Sequence, residues 1–372
     1  LADSAHIQQE DAEYWNKKRV MRRGDAPIEP LYTQTDVDAT TRLLQPRRLD
    51  KRFDVMPGVQ AMFYEAGHML GSAGMLIEFP NGNGSPTRVV YTGDLGRPGV
   101  PILRDPDTLP PCDYLICEST YGGRESPPPR DMRGQFADLI NEAVERGGKI
   151  IIPAFAVGRT QVIVYHYHYL MHEGKIARPV PIIVDSPLAV RATEVFRLHP
   201  EVYDREAYNF NHVTGDMLEC QRCEYIQNVN ESKALHGRPG PMIIISASGM
   251  CEAGRILHHL KNNVENPHNT IVIVGYQAAH TLGRRLVEKQ KTIRIFGENY
   301  RVRAKVKTLN GFSAHACASE LANAISRLAG RARKVCLVHG ESDQSEALAA
   351  AVRKRGVSDV LIPEPGQTLD LN

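Results

Sequence analysis

The chain has 372 residues, about two domains by the usual size scale and enough to bury a sizeable core. Apolar residues make up 42% and charged residues 24%, with 30 Gly and 24 Pro spread along the length; this excludes disordered and fibrous classes, and no run approaches the roughly 18 apolar residues of a membrane span. With 45 basic residues against 43 acidic, the formal net charge is +2, so overall charge names no partner and a nucleic-acid ligand would need a local basic surface.

Leu1 is followed directly by the polar, helical stretch DSAHIQQEDAEYWNKKR, without Met or leader, and the chain reads as opening inside an element of a longer protein. Next come VQAMFYEAGH, AGMLIEFPNGNGSPTRVVYTGD and DYLICEST, strand-like runs of which the second carries an Asn-Gly turn, the chemistry of a hairpin in an antiparallel or mixed sheet. Phe136, Leu139, Ile140, Ala143 and Val144 share one helical face, and Gly147-Gly148 stops that helix. From Lys149 to Gly297, apolar β-branched runs such as KIIIPAFAV, PVPIIVD, PMIIISASG and NTIVIVGY alternate with amphipathic helical segments. Runs this apolar are buried on both faces, and the alternation predicts a doubly wound α/β unit with a parallel sheet. After it come RVRAKVKTL, two helices and the runs KVCLVHG and DVLIPEP. The simplest parse is a sheet-and-helix domain, residues 1–125 and 298–372, interrupted by an α/β domain over residues 126–297. No internal repeat or low-complexity tract is found.

Seven Cys without a secretory leader read as reduced cytosolic thiols, not a disulfide framework. Cys220 and Cys223 form a lone CxxC, half of what a structural zinc needs.

Four ionisable residues stand at the ends of apolar strand-like runs: His68 after MFYEAG, Asp94 in VVYTGDLG, Glu118 in YLICEST and His339 in KVCLVHGES. Strand C-terminal ends are where α/β proteins build clefts, because the flanking loops converge there. His315, in LNGFSAHA, lies at a helix start where Ser313 is placed to cap. Imidazoles with a carboxylate suit zinc. Taken singly, each also has an ordinary role: a hydrogen-bonded His, an Asx turn at Asp94, a helix-capping carboxylate at Glu118.

The segments EAGHMLGSA, YTGDLG, ESTYG, GFSAHA and LVHGE, collinear and with an α/β insertion between the third and fourth, resemble the later motifs of the metallo-β-lactamase fold nucleases of the β-CASP family. That family includes the eukaryotic cleavage and polyadenylation endonuclease and ribonuclease J. IPAFAVGRTQ, VDSPLAV, GPMIIISASGM and VGYQAAHTLGRRL match within the insertion, so the resemblance covers nearly the whole chain. It implies a metallo-β-lactamase αββα sandwich with an inserted β-CASP domain, and a zinc-dependent RNA phosphodiester hydrolase, endonucleolytic and also 5′ exonucleolytic in some members.

Carried over residue by residue, the resemblance makes His68 and His339 zinc ligands and Asp94 the carboxylate shared by two zinc ions, with Glu118 orienting His315 as proton donor. RNA is expected over DNA because the last motif keeps His339. The family's HxHxDH motif, which supplies further ligands, is absent, and His6 is not a substitute for it; its loss implies a fragment that binds zinc poorly and is inactive, with its first strands missing. The alternatives are a catalytically dead scaffold subunit and a zinc hydrolase of small esters. The expected partner is RNA, for a cytoplasmic protein with no membrane, and a homodimer is the assembly entertained.

Substrate holding is expected from the interdomain cleft: Arg159, Lys233 and Arg255, with Ser246 and Ser248 in the SASGM loop. Arg301, Arg303, Lys305 and Lys307 alternate as one strand face would, a solvated or edge-protecting stripe more than an RNA track. Tyr165, Tyr167 and Tyr169, interleaved with His166 and His168, follow a helix start and are read as helix-core packing.

Overall fold

The computed structural model describes residues 1–18, 26–82, 84–128 and 132–371. Arg19, at the end of the expected first helix, and Asn83, in the expected Asn-Gly turn, lie outside the described residues. The chain divides into two compact units, residues 1–48 and 49–372.

In the first unit, α1 (Ala2–Lys18) and α2 (Gln34–Thr41) bury Ala5, Ala12 and Val37. Polar side chains of α1 hold the segment between them: Asn16 both donates to Ile28 O (2.9 Å) and accepts from Ile28 N (2.8 Å), and Gln8 accepts from Leu31 N at 3.0 Å. Thr33 and Asp36 form a capping box at α2. His6 is exposed on α1, 3.4 Å from Glu10.

The second unit begins with an antiparallel meander, β1 (Arg52–Met56), β2 (Val59–Glu65), β3 (Ala73–Phe79) and β4 (Thr87–Tyr91), to which β5 (Tyr114–Glu118) adds in parallel. The helix predicted from residue 136 is α3 (Met132–Glu145); its five apolar positions are buried, and Gly147 turns the chain at a φ of +72°. Then follow β6 (Ile150–Pro153), α4 (Arg159–His172), β7 (Ile182–Asp185), α5 (Pro187–Leu198), α6 (Arg205–Thr214), β8 (Cys223–Ile226), α7 (Val229–Gly237), β9 (Ile243–Ser246), α8 (Arg255–Asn263), β10 (Thr270–Ile273) and α9 (Leu282–Val287). The remainder is β11 (Thr292–Ile295), β12 (Glu298–Arg301), β13 (Lys305–Thr308), α10 (Ala318–Ser326), β14 (Lys334–Val338), α11 (Ser342–Arg353) and β15 (Val360–Leu361).

Two main sheets result. The outer sheet is mixed, in the order β1-β2-β3-β4-β5-β14-β15, and the inserted one is β13-β10-β6-β9-β7-β8 with every neighbouring pair parallel. β14 pairs with β5 although more than 200 residues separate them, so the outer sheet closes only after the insertion. In the inserted sheet the strand period of two sends Ile150 and Ile152 into a core under α3, α4 and α5, and Ile151 into another under α8 and α9. Both faces are covered, which is why these strands read as unbroken Ile and Val. Tyr165 and Tyr167 on α4 are fully buried, helix-core packing as read from the sequence.

β13 pairs with β10 and so adds to the inserted sheet, past the boundary expected at Gly297. Two expectations are corrected. The stripe from Arg301 to Lys307 is not one strand: Arg301 ends an antiparallel ribbon of β11 and β12, while Lys305 and Lys307 lie on β13, and Lys305 is taken by Glu142. Cys220 and Cys223 are joined as a disulfide, their Cα atoms 5.1 Å apart, where free thiols were expected; the other five cysteines are buried and free. Among the described residues no helix is long and apolar enough to cross a membrane.

Candidate active site between two sheets

The C-terminal ends of β2, β4, β5 and β14 lie on one side of the outer sheet, and the loops that follow them carry the candidate residues. His68 sits in a turn entered through Gly67 at a φ of +66°. The backbone is crowded here: a Cβ on Gly96 would lie 2.1 Å from Gly67 O, so the loops after β2 and β4 touch main chain to main chain. Gly96 N donates to Ala66 O at 2.7 Å, and Ser72 Oγ accepts from His68 N and Met69 N at 3.0 and 3.1 Å. His339 follows β14 in the left-handed region, φ +53°, and its carbonyl accepts from Thr120 Oγ1 at 3.0 Å.

These loops bring all five strand-end and helix-start residues together. Asp94 lies between two imidazoles: Oδ1 is 3.0 Å from His339 Nδ1 and Oδ2 is 4.0 Å from His68 Nε2. The His68 and His315 rings are 4.3 Å apart. Burial, followed by the neighbouring His315, pushes the His68 imidazole down to about 4, so His68 is neutral at pH 7. Glu118 is 1% exposed and accepts from His315 Nδ1 at 3.1 and 3.3 Å and from Leu95 N. Burial raises the carboxyl's pKa, but the hydrogen bond and charge of His315 outweigh it and hold the group below its ordinary value.

Ligand atoms of His68, Asp94 and His315 lie within 4.8 Å of one another, as do those of Asp94, Glu118 and His339. The donors are imidazole nitrogens and carboxylate oxygens, the set zinc takes. His68 Nδ1 is buried with no partner among the described residues, while Nε2 is the nitrogen turned toward Asp94. The residues fit a zinc site centred on Asp94. Glu118 and His315 fit it less well as ligands, since each is already spent on the other.

The C-terminal ends of β6, β9 and β10 face this cluster across a cavity of about 260 Å³. His68, Asp94 and His315 form one wall; Phe155, Arg159 and Met250 stand among the residues opposite. Arg159 opens α4, its Nε is buried with no partner among the described residues, and burial pushes the guanidinium down to about 10. The other four expected substrate contacts are not brought to this cavity. Arg255 Nη1 bonds Asp185 Oδ1 at 2.7 Å and Ser246 Oγ donates to Asp185 O at 2.9 Å, a buried network shared with His259 and Ser232. Ser248 Oγ accepts from Glu252 N at 3.1 Å, inside its own loop, and Lys233 is exposed on α7. Phe155 and Tyr276 line the cavity without having been singled out from the sequence; their signal was their place two residues past the strand runs IIIP and IVIV.

Known proteins resemble the chain in the same sense. A Beta-Casp domain is matched over residues 160–286 and a Zn-dependent metallo-hydrolase RNA specificity domain over residues 299–363. "Ribonuclease TTHA0252" of Thermus thermophilus is 36% identical over 331 residues, 88% of this chain and 73% of that protein. An "RNase J-like protein" of Methanocaldococcus jannaschii is 31% identical over 343 residues, 91% of this chain and 77% of the relative. The "Transcription termination factor FttA" of Thermococcus kodakarensis is 30% identical over 348 residues, 89% of this chain but 52% of that protein, so the chain spans about half its length.

Proposed function

The chain belongs to the β-CASP family of metallo-β-lactamase fold ribonucleases, and from that premise we propose that it carries the site of a zinc-dependent RNA phosphodiester hydrolase, endonucleolytic or 5′ exonucleolytic. The observation that carries this reading is the Asp94-centred gathering of metal-ligand atoms beside the Glu118–His315 hydrogen bond, with His68, Asp94 and His315 on the cavity wall.

His68, Asp94 and His339 would hold the metal. Bound there, zinc would supply Lewis-acid chemistry, activating water and offsetting charge on the phosphoryl oxygens. Glu118 accepts from His315 Nδ1, which fixes the ring and leaves Nε2 to hold the proton that the departing ribose oxygen needs. Arg159, charged and with no partner at Nε among the described residues, stands across the cavity to meet the phosphate. The exposed ring of Phe155 offers a face to a base.

The test is incubation of end-labelled RNA with the full-length protein, with and without chelator. The expected result is cleavage that disappears with chelator and returns with zinc, internal fragments marking an endonuclease and single nucleotides released from the 5′ end an exonuclease. Chelator-insensitive cleavage contradicts the reading.

A further inference from the structure

The opposite end of the inserted sheet carries a second feature. Where β7, β8 and β9 begin, a pocket of about 460 Å³ is lined by Arg178, Arg222 and Arg238 with four prolines, and no acidic residue lines it. Several other arginines of this unit are matched by carboxylates, Arg97 by Glu320, Arg197 by Asp216 and Arg255 by Asp185. Arg238 also has a partner, Glu224. Arg178 and Arg222 are exposed and, among the described residues, have no ion-pair or side-chain hydrogen-bond partner.

The walls are stiff. Arg178 and Arg238 each precede a proline, which restricts the arginine backbone to extended conformations, and Arg238 is found at φ −68°, ψ 120°. The Arg178–Pro181 segment is pinned on both sides: Ala177 N donates to Asn141 Oδ1 at 3.0 Å and Val180 N to the buried Tyr167 hydroxyl at 2.9 Å. Pro181 O then accepts from Ile243 N at 2.8 Å. The closing carbonyls of α7, Leu235 O and His236 O, are taken by Lys149 Nζ, so a cation screens the negative end of that helix. A fixed backbone presenting the two unpaired guanidiniums of Arg178 and Arg222, beside Arg238 held by Glu224, suits a ligand with several anionic oxygens, since planar forks match phosphate and little ordering is needed on binding.

We propose that this pocket is a second anion site of the enzyme, taking phosphate groups at the end of the inserted sheet remote from the catalytic cavity. The source favoured by the proposed RNA hydrolase activity, on which this part rests, is the backbone of a long RNA beyond the cleft; the other source of the same chemistry is a free polyphosphate.

The experiment compares the full-length protein with its Arg178→Gln/Arg222→Gln double variant. Tripolyphosphate binding is measured by calorimetry, and binding of RNAs of about 8 and about 40 nucleotides by anisotropy across a salt series, the shorter being near the ~4–16 nucleotides one small domain holds. The expected result is loss of tripolyphosphate binding, with long-RNA affinity about tenfold weaker and its salt slope smaller by about two, roughly one per cation removed. Short-RNA binding and cleavage stay unchanged, which also shows that the variant is folded. Loss of tripolyphosphate binding with unaltered long-RNA binding assigns the site to a free polyphosphate and overturns the RNA source. Unaltered binding of both overturns the site. Failure of the wild type to cleave either RNA, with the arginine effects intact, counts against the hydrolase reading alone.

Discussion

Glu118 Oε2 accepts a hydrogen bond from His315 Nδ1 at 3.1 Å across 197 residues of chain, and the carboxylate is among the most buried acids in the second unit. A charge so placed persists because the imidazole and Leu95 N pair with it. The dyad should therefore act on proton transfer and not on metal binding. Glu118→Gln and His315→Ala are each expected to lower kcat roughly 100- to 10,000-fold with zinc content unchanged by elemental analysis. Turnover within a few-fold of wild type in His315→Ala would remove its acid role.

Asp94 is the one residue common to both ligand clusters. Asp94→Asn keeps the shape but removes the shared negative charge, so the zinc content of the full-length protein should fall, by atomic absorption, with at least a tenfold weaker affinity. Full zinc occupancy in this variant would displace the site from Asp94.

Phe155 is 46% exposed although aromatic, and a Cβ on Gly249 would lie 3.0 to 3.1 Å from its ring carbons, so the loop after β9 props one edge of the ring. Stacking of a base there predicts that Phe155→Ala raises KM for RNA by about 5- to 150-fold, from ~1–3 kcal/mol per stacked base, with kcat little altered. Phe155→Tyr should restore KM. An unchanged KM in Phe155→Ala would leave the ring without a role in binding.

His166 is buried on α4, its Nδ1 accepting from Arg133 Nε at 3.4 Å, and burial with the two nearby arginines pushes the imidazole down to about 3. The unfolded chain takes up a proton near pH 6.5 and the folded one does not until about 3. Stability is therefore intact above about 6.5 and declines as pH falls through that window, by up to ~1.4 kcal/mol per unit. Between pH 7.5 and 5.0 the urea unfolding free energy of wild type should fall by about 2 kcal/mol more than that of His166→Gln. Equal losses would contradict the neutral buried imidazole.

Asp185 collects Arg255, His259 and Ser232 inside the inserted domain, and these pairings hold its carboxyl below its ordinary value against burial. Asp185→Ala leaves two potential cations without a counter-charge and should cost about 3–5 kcal/mol by urea denaturation. A loss below about 1 kcal/mol would show that water enters to replace the carboxylate.

What the amino-acid order determined by itself was local: the unbroken Ile and Val runs that mark strands covered on both faces, the helical face from Phe136 to Val144, and the four ionisable residues stationed where apolar runs end. Periodicity and short motifs carry such information because a strand or helix is specified by its own side chains. Tertiary structure alone decided which partners those elements took. It turned Arg255 and Ser246 inward onto Asp185, split the 301–307 stripe between a ribbon and the edge of the inserted sheet, and set Phe155 at the mouth of the cavity. Backbone pairing and charge pairing join residues far apart in the chain, and many combinations satisfy the same local pattern; burial and hydrogen-bond satisfaction select one of them only once the sheets have closed.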